Sequence, residues 1–177
     1  MITEVRHIGI TPLHPKEDFL KKVENFFGGV KKALIVRLDE VFYTQDLLKE
    51  IENLSKKSNS IVIYNSRNDI SSKKNIHLTS IDLMNYKEKR KCNFLLGASC
   101  HNQSEVEKAN QLECDYILIS PVLKNKHGNK KIGWEKFEEL AKNFNGISYA
   151  LGGVKIEDLS ESINHGGTGI SGISCFF

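Results

Sequence analysis

Residues 149–154 read Tyr149-Ala150-Leu151-Gly152-Gly153-Val154, and the stretch that follows, Lys155–Leu159, has the polar-to-apolar period of a helix. A short apolar strand that ends in two glycines before a helix lets backbone N–H groups approach a ligand without a Cβ in the way. The positive end of the helix dipole faces the same point. The stretch therefore predicts an anion site, and the alternative is a tight turn in which the glycines only supply unusual backbone angles.

A second strand of small residues ends the chain, Gly166-Gly167-Thr168-Gly169-Ile170-Ser171-Gly172-Ile173-Ser174. Two neighbouring strand ends rich in glycine and serine, late in the chain, match the phosphate site that (β/α)8 barrels build after their seventh and eighth strands. The two stretches together favour a barrel, and the rest of the chain must then supply six more strands.

Six further apolar segments alternate with stretches of helical period. They are Val5–Thr11, Ala33–Leu38, Ser60–Asn65, Asn75–Leu78, Phe94–Ser99 and Asp115–Ile119. With strands at Ile147–Leu151 and Thr168–Ser174 the number of predicted strands is eight, which is typical of a parallel barrel whose strands are covered on both faces. We therefore predict an α/β protein with a compact (β/α)8 TIM barrel, and an open doubly wound sheet is the alternative.

The barrel is predicted to form one domain over residues 1–177, with shortened or missing helices. The third helix has room for a turn at most, the fourth runs from Ile81 to about Arg90, and no eighth helix follows the last strand. These omissions explain why the chain is shorter than most barrels.

Composition argues against several classes of protein. The net charge of +3 comes from lysines spread along the chain and nearly balanced by acidic residues, so no nucleic-acid partner is expected. No apolar run has the length of a membrane span, so no membrane association is expected. The four cysteines show neither a C-x-x-C pair nor metal-ligand spacing, which predicts reduced thiols in a cytoplasmic protein.

Polar residues at the C-terminal ends of the predicted strands are the candidates for a site, because barrel enzymes carry their chemistry there. They are Arg37, Asn65, Asp82, Ser99, His101 and Ser120. Arg37 follows an apolar run, and an unpaired buried guanidinium is unstable, so it must meet a carboxylate or an anionic ligand. A structural ion pair with Asp39 or Glu40 is the alternative that the sequence leaves open.

Two histidines lie near these strand ends. His101 can donate to a substrate or a phosphate, whereas its neighbours Ser99 and Asn102 can equally serve as caps for the next helix. His77 stands between two apolar residues, which favours a hydrogen-bonded core histidine over a ligand-binding one.

The loop after the sixth strand, residues 124–131, carries four lysines and a glycine. It can close over a diphosphate, with lysine acting as a point charge on a mobile stem. The alternative is an ordinary solvated surface loop.

Three motifs now stand in a fixed order and spacing. They are Gly97-Ala98-Ser99-Cys100-His101-Asn102, Asp115-Tyr116-Ile117-Leu118-Ile119-Ser120-Pro121-Val122 and Ala150-Leu151-Gly152-Gly153-Val154. Together they resemble the thiamine phosphate synthase and TenI-like family. Asn65-Ser66-Arg67-Asn68-Asp69 and Ile76-His77-Leu78 are similar to its third- and fourth-strand motifs, so the resemblance runs from about Ile35 to Phe177.

The resemblance implies a role in thiamine biosynthesis. The synthase branch of the family is a transferase that joins hydroxymethylpyrimidine diphosphate to thiazole phosphate and releases diphosphate with the help of Mg2+. The TenI branch is a tautomerase that isomerises thiazole phosphate. We therefore expect phosphorylated thiamine precursors as ligands, with the synthase reaction favoured, and homodimers also occur in the family. The alternatives are the tautomerase and a non-catalytic regulator that binds a phosphorylated ligand.

The resemblance also implies roles for individual residues. Backbone N–H groups at four positions would hold the thiazole phosphate, and these positions are Gly152, Gly153, Ile173 and Ser174. The residues that would face the diphosphate are Arg37, Asn65, Ser99 and a lysine of the loop, Lys126 or Lys130. His101 and Ser120 are predicted to contact substrate or phosphate, and Asp82 is predicted to bind Mg2+.

The chain departs from the family pattern at several of these positions. Ser66 stands where a second Mg2+-binding aspartate is expected, which removes a charged ligand from a cation that favours carboxylates. Arg37 fits the arginine of the second-strand Gln-x-Arg-x-Lys pattern only if one residue is inserted after it. The loop after the sixth strand has no threonine, and Pro121 stands where TenI-branch members commonly carry a catalytic histidine.

Overall fold

The computed structural model describes residues 1–88, 93–124 and 131–177. Its strands are β1 (His7–Ile10), β2 (Ala33–Val36), β3 (Ile61–Asn65), β4 (Asn75–Leu78), β5 (Leu95–Cys100), β6 (Tyr116–Ile119), β7 (Ile147–Ala150) and β8 (Gly169–Gly172). All neighbouring strands are parallel, and β8 pairs with β1 to close the sheet. The predicted barrel is confirmed, and the open sheet is wrong because Ile8 lies opposite Ser171 across the closing pair.

Helices connect most of these strands. They are α1 (Phe19–Phe27), α2 (Gln45–Lys57), α3 (Ser80–Asn85), α4 (Gln103–Gln111), α5 (Gly133–Lys142) and α6 (Leu159–Asn164). No helix lies between β3 and β4, as predicted. The helix after β4 is shorter than predicted, because the backbone of Tyr86 is already extended at φ −70° and ψ 133°. The predicted end at Arg90 lies outside the described residues.

Alternate residues of each strand belong to different layers, as the pleat of a barrel strand requires. The inner layer contains Ile8, Ile10, Ala33, Ile35, Ile63, Tyr116, Leu118 and Tyr149. The intervening side chains pack against the helices, for example Leu34 and Val36 against α1 and α2. Arg37, Asn65 and Ser120 each follow an inner residue by two positions, so the alternation directs their side chains into the C-terminal mouth of the barrel.

The segment after Gly153 differs from the prediction. A single 3-10 turn, Ile156–Asp158, comes first, and α6 begins only at Leu159 and has six residues. The carboxylate of Asp158 accepts the Lys155 N–H at 2.7 Å, which stabilises this turn. Since the helix dipole acts only near the end of a helix, its contribution at Gly153 is smaller than the sequence suggested.

In the described parts of the chain, no helix is long and apolar enough to cross a membrane.

Gly97 fits the barrel because the ring of Tyr116 occupies the place of a side chain. A Cβ added at Gly97 would lie 2.1 Å from two ring atoms of Tyr116, its partner across the β5–β6 pair. Tyr116 is fully buried, so its ring has little room to move.

We therefore expect Gly97→Ala to lower the free energy of unfolding by about 1–3 kcal/mol, the usual range for overpacking a core. Urea denaturation measures this change. Gly28→Ala is the control, because Gly28 has an ordinary φ of −61° and a Cβ there would come no closer than 3.2 Å, to the Asn25 carbonyl oxygen. An equal loss in both variants would contradict the steric argument.

Candidate active site

Arg37 lies directly after β2 at the mouth of the barrel, and its backbone is fixed by Thr11. The Thr11 hydroxyl accepts the Arg37 N–H at 2.8 Å and donates to the Arg37 carbonyl oxygen at 2.9 Å. The guanidinium Nε is buried and has no hydrogen-bond partner among the described residues. Burial, and then the positive charge of Arg67, lower the pKa of Arg37.

Among the described residues Arg37 forms no structural ion pair, which was the alternative to ligand binding. Within residues 1–88, 93–124 and 131–177 neither Asp39 nor Glu40 forms an ion pair with it. Asp39 instead accepts the Val41 N–H and caps a short 3-10 turn. A half-buried guanidinium without a carboxylate has donors available for an anionic ligand.

Asn65, Ser66 and Asp82 form a polar cluster after β3 and β4. Asn65 is the last residue of β3 and is 4% exposed, and its side-chain oxygen accepts the Arg67 N–H at 3.0 Å. Ser66 donates to Oδ2 of Asp82, and Thr79 donates to the same oxygen at 2.7 Å. The hydroxyl of Ser66 also accepts the Thr79 N–H at 2.9 Å. Ser66 therefore orients the Asp82 carboxylate.

Ser99 projects from β5 and is held by a buried histidine. His77 Nε2 lies 2.9 Å from Ser99 Oγ, and His77 Nδ1 lies 3.0 Å from the hydroxyl of Tyr116. Burial lowers the pKa of His77 to about 3, with a smaller contribution from Arg37. The prediction of a hydrogen-bonded core histidine is confirmed.

The proton positions in this network follow from the needs of Tyr116. Its hydroxyl is buried, and a buried O–H that donates to nothing is destabilising. Donation from Tyr116 to His77 Nδ1 puts the single proton of the neutral imidazole on Nε2, which then donates to Ser99 Oγ. The hydroxyl hydrogen of Ser99 is thereby left free to donate to a ligand.

His101 and Ser120 meet across the ends of β5 and β6. His101 Nδ1 lies 2.8 Å from the Ser120 carbonyl oxygen and 3.2 Å from its hydroxyl. A carbonyl oxygen can only accept, so Nδ1 carries a proton, and Nε2 is the nitrogen that has the lone pair in the neutral imidazole. The helix cap that follows is provided by Asn102, whose side chain accepts the Glu105 N–H at 3.0 Å.

Gly152 and Gly153 follow β7 and have positive φ angles of +98° and +77°. A Cβ at Gly152 would lie 2.8 Å from Pro121 Cα, and one at Gly153 would lie 2.5 Å from Lys124 Cβ. The Gly152 carbonyl oxygen accepts the N–H groups of Leu123 and Lys124, both at 2.9 Å. The glycines therefore adopt left-handed angles, as a tight turn requires, and also pack against the loop after β6.

Backbone donors remain open at the ends of β7 and β8. Among the described residues, the N–H groups of Gly152, Gly153, Ile173 and Ser174 donate to no protein acceptor. Ser174 is exposed, and Ile173 is half-buried beside the inner layer. Since β7 and β8 are neighbouring strands, these open donors follow adjacent strand ends, as the predicted phosphate cradle requires.

The predicted lysines of the loop after β6 cannot be placed. Lys126 and Lys130 lie outside the described residues, and their role stays a prediction. Arg37, Asn65, Ser99, His101 and Ser120 stand at or directly after the C-terminal ends of their strands. The remaining predicted residues, Asp82, Gly152, Gly153, Ile173 and Ser174, lie in the segments that follow β4, β7 and β8.

The family of this chain follows from its match to a protein-family model. The family model described as thiamine monophosphate synthase matches residues 8–176. The chain belongs to the thiamine monophosphate synthase family. The expectation from the sequence motifs is thereby confirmed at the level of the family.

Named relatives agree with this family. The chain is 34% identical over 163 residues to the thiamine-phosphate synthase of Prochlorococcus marinus strain MED4, covering 86% of this chain and 46% of that protein. It is 29% identical to the thiamine-phosphate synthase of Fusobacterium nucleatum, covering 89% of this chain and 81% of that protein. The chain thus spans about half the length of the Prochlorococcus relative.

A solved structure of the same family has the same fold. Thiamine phosphate pyrophosphorylase from Pyrococcus furiosus superposes with a TM-score of 0.73 at 19% identity, covering 97% of this chain and 87% of that one. At this identity the similarity supports the barrel and carries no residue roles.

Several residues of the site were not predicted from the sequence. Thr11 fixes Arg37, Thr79 fixes Asp82, and Tyr116 fixes His77. Only Thr79 had a local signal, because Thr79-Ser80-Ile81-Asp82 has the spacing of a capping box before a helix. Thr11 and Tyr116 act through contacts between strands that are distant in the sequence.

The Mg2+ that the family implies would need oxygen ligands near Asp82. No group of three or more His, Cys, Asp or Glu side chains with metal-binding geometry occurs in the described part of the chain. Asp82 keeps Oδ1 without a described partner, while Oδ2 accepts from Ser66 and Thr79. Mg2+ is commonly held by one or two carboxylates together with substrate phosphates. The residues therefore fit Mg2+ when a diphosphate supplies the remaining oxygen ligands.

Proposed function

We propose that the protein is a thiamine phosphate synthase that joins hydroxymethylpyrimidine diphosphate to thiazole phosphate. The observation that supports this proposal is that a guanidinium without a carboxylate and a set of open backbone N–H groups both lie after strands of one barrel, where each could bind an anion. Arg37 and its neighbours after β2 and β3 form the first region, and the open N–H groups after β7 and β8 form the second. A reaction between two phosphorylated substrates needs such a pair.

The first region suits the departure of diphosphate. The C–O bond between the pyrimidine methylene and the diphosphate breaks, and its electron pair leaves with the diphosphate oxygen. Arg37 then stabilises the negative charge that develops on the leaving group. Asn65, at the end of β3, and Ser99, with its free hydroxyl hydrogen, are the neutral donors of the same mouth.

The second region suits the nucleophile. Backbone N–H groups after β7 and β8 would bind the phosphate of the thiazole substrate and fix its distance from the pyrimidine. The thiazole nitrogen then donates its lone pair to the methylene carbon, forming the C–N bond of thiamine phosphate. Holding the two reactants in one mouth makes this step effectively intramolecular.

Asp82 would hold Mg2+ through its open carboxylate oxygen, with Ser66 and Thr79 fixing the orientation of the carboxylate. When bound, Mg2+ neutralises charge on the diphosphate and makes it a better leaving group.

A coupled assay tests the synthase proposal. Purified protein, both precursors and Mg2+ are mixed, and thiamine phosphate is detected as fluorescent thiochrome. We expect product that is lost in EDTA and strongly reduced in Asp82→Asn. A control variant, Glu4→Gln, alters a carboxylate that precedes β1 at the opposite end of the barrel, where it pairs with Lys31, and should keep the rate. No product from a folded protein would contradict the proposal, and retained binding of thiazole phosphate would then indicate the non-catalytic regulator.

The second candidate is isomerisation of thiazole phosphate, and His101 favours it. Its ring lies against Ser120, directly after β6, although Pro121 occupies the position where the tautomerase histidine is expected. The lone pair on Nε2 makes His101 a suitable base. His101→Gln should remove isomerisation and leave the synthase reaction measurable, so the two candidates separate in one variant.

The homodimer stays a prediction.

A further inference from the structure

A buried clamp fixes the loop after β2 to the loop after β3. The Leu38 N–H donates to the side-chain oxygen of Asn68 at 3.2 Å, and the amide of Asn68 donates to the Leu38 carbonyl oxygen at 2.9 Å. Leu38 is fully buried and Asn68 is 8% exposed. Arg37 and Arg67 are the residues directly before the two members of this clamp. The clamp therefore brings the backbone at Arg37 and the backbone at Arg67 onto neighbouring loops after β2 and β3.

The two arginines are close enough to interact electrostatically, and neither is paired with a carboxylate of the described residues. The positive charge of Arg67 adds to burial in lowering the pKa of Arg37. Neither side chain forms an ion pair with any described residue. Because like charges held close together repel, the arrangement becomes favourable when an anion binds between them. An anion with several oxygens on two phosphorus atoms can engage both guanidinium groups.

Ser66 increases the unbalanced charge at this point. It precedes Arg67 and stands where the family resemblance implies an aspartate. Its hydroxyl is neutral, so it brings no negative charge to the arginines. The same hydroxyl donates to Asp82 and accepts the Thr79 N–H. A carboxylate at position 66 would partly neutralise Arg67. The substitution therefore leaves the arginine pair available to an anion.

We propose that Arg67 is a second diphosphate-binding residue that acts with Arg37. Its positive charge replaces part of the charge that a metal ion, held by a carboxylate at position 66, would bring to the diphosphate. The proposal rests on the proposed function for the choice of diphosphate as ligand. It predicts that diphosphate binds without any divalent metal. Arg67 is exposed, so its side chain can change rotamer without rearrangement of the core.

Calorimetry with inorganic diphosphate in EDTA tests this role. We expect Arg67→Gln to weaken diphosphate binding by about 10-fold or more, as loss of a charge-assisted hydrogen bond predicts. Lys73→Gln is the matched control, because Lys73 lies on the same loop but stacks over the ring of Tyr64 on the outer face. Its diphosphate affinity should stay within about twofold. Diphosphate binding by Arg67→Gln equal to that of the unaltered protein would overturn the proposal, as would no binding in EDTA.

Ser66→Asp provides an independent variant. The new carboxylate would compensate Arg67, so metal-free diphosphate binding should fall by about 10-fold and Mg2+ should restore it. Unchanged metal-free affinity in Ser66→Asp would also count against the proposal. These binding measurements are separate from product formation. Loss of the synthase reaction with intact Arg67-dependent diphosphate binding would refute the proposed function alone.

Discussion

Replacing Gly153 by aspartate is expected to weaken the binding of thiazole phosphate by more than about 100-fold. This factor corresponds to a loss of about 3 kcal/mol in binding free energy. Gly153 has a φ of +77°, and a Cβ would collide with the backbone N of Lys124 at 2.7 Å. The added carboxylate would also repel the phosphate from the open N–H groups after β7 and β8. Calorimetry with thiazole phosphate measures the loss.

Gly166→Asp is the matched control for this variant. Gly166 also has a positive φ, +79°, but a Cβ there meets no atom within 4 Å. It precedes β8, and so lies at the opposite end of the barrel from the mouth. Affinity in Gly166→Asp should therefore be retained. Unchanged thiazole phosphate binding in a folded Gly153→Asp protein would contradict the phosphate cradle.

Arg37→Met should weaken binding of hydroxymethylpyrimidine diphosphate by about 100-fold, because a guanidinium donates two or more charge-assisted hydrogen bonds to such a ligand. Methionine keeps the apolar stem that packs at the mouth and removes the charge. Affinity for thiazole phosphate should stay within about threefold, since its cradle is formed by β7 and β8. Calorimetry with each substrate separates the two effects.

Arg6→Met is the control for the loss of an arginine. Arg6 precedes β1 at the other end of the barrel, where it donates to the Thr168 carbonyl oxygen at 2.7 Å. Neither substrate should bind differently to this variant. Equal losses of both substrates in Arg37→Met would mean that Arg37 supports the mouth as a whole and does not select the diphosphate.

The strands were predictable because buried parallel strands appear in the sequence as runs of apolar residues. The predicted strand Asn75–Leu78 has the observed bounds, and most others differ by one or two residues. Closure was a weaker inference, since apolar runs do not show which strands pair. One local reason is visible only in the structure: a Cβ at Gly169 would lie 2.2 Å from the Arg6 carbonyl oxygen. The glycine permits the close approach of the first and last strands.

The site was predictable where a residue stands at a strand end, and less so where it acts through another side chain. Arg37 and Ser120 follow inner-layer residues by two positions, so alternation alone directs them to the mouth. The clamp between Leu38 and Asn68 joins residues that are far apart in the sequence, and no spacing rule indicates it. The helix dipole at Gly153 was overestimated because periodicity cannot distinguish a 3-10 turn from the first turn of an α-helix.

Closure of the barrel between β1 and β8 couples ligand binding to folding. The diphosphate region comes from the first half of the chain and the phosphate cradle from its last strands, so the two become neighbours through the pairing of Ile8 with Ser171. Opening this seam separates the regions and destroys the combined site. If the substrates bind as proposed, each is expected to stabilise the folded barrel by mass action, and the two together are expected to raise the melting temperature more than either alone.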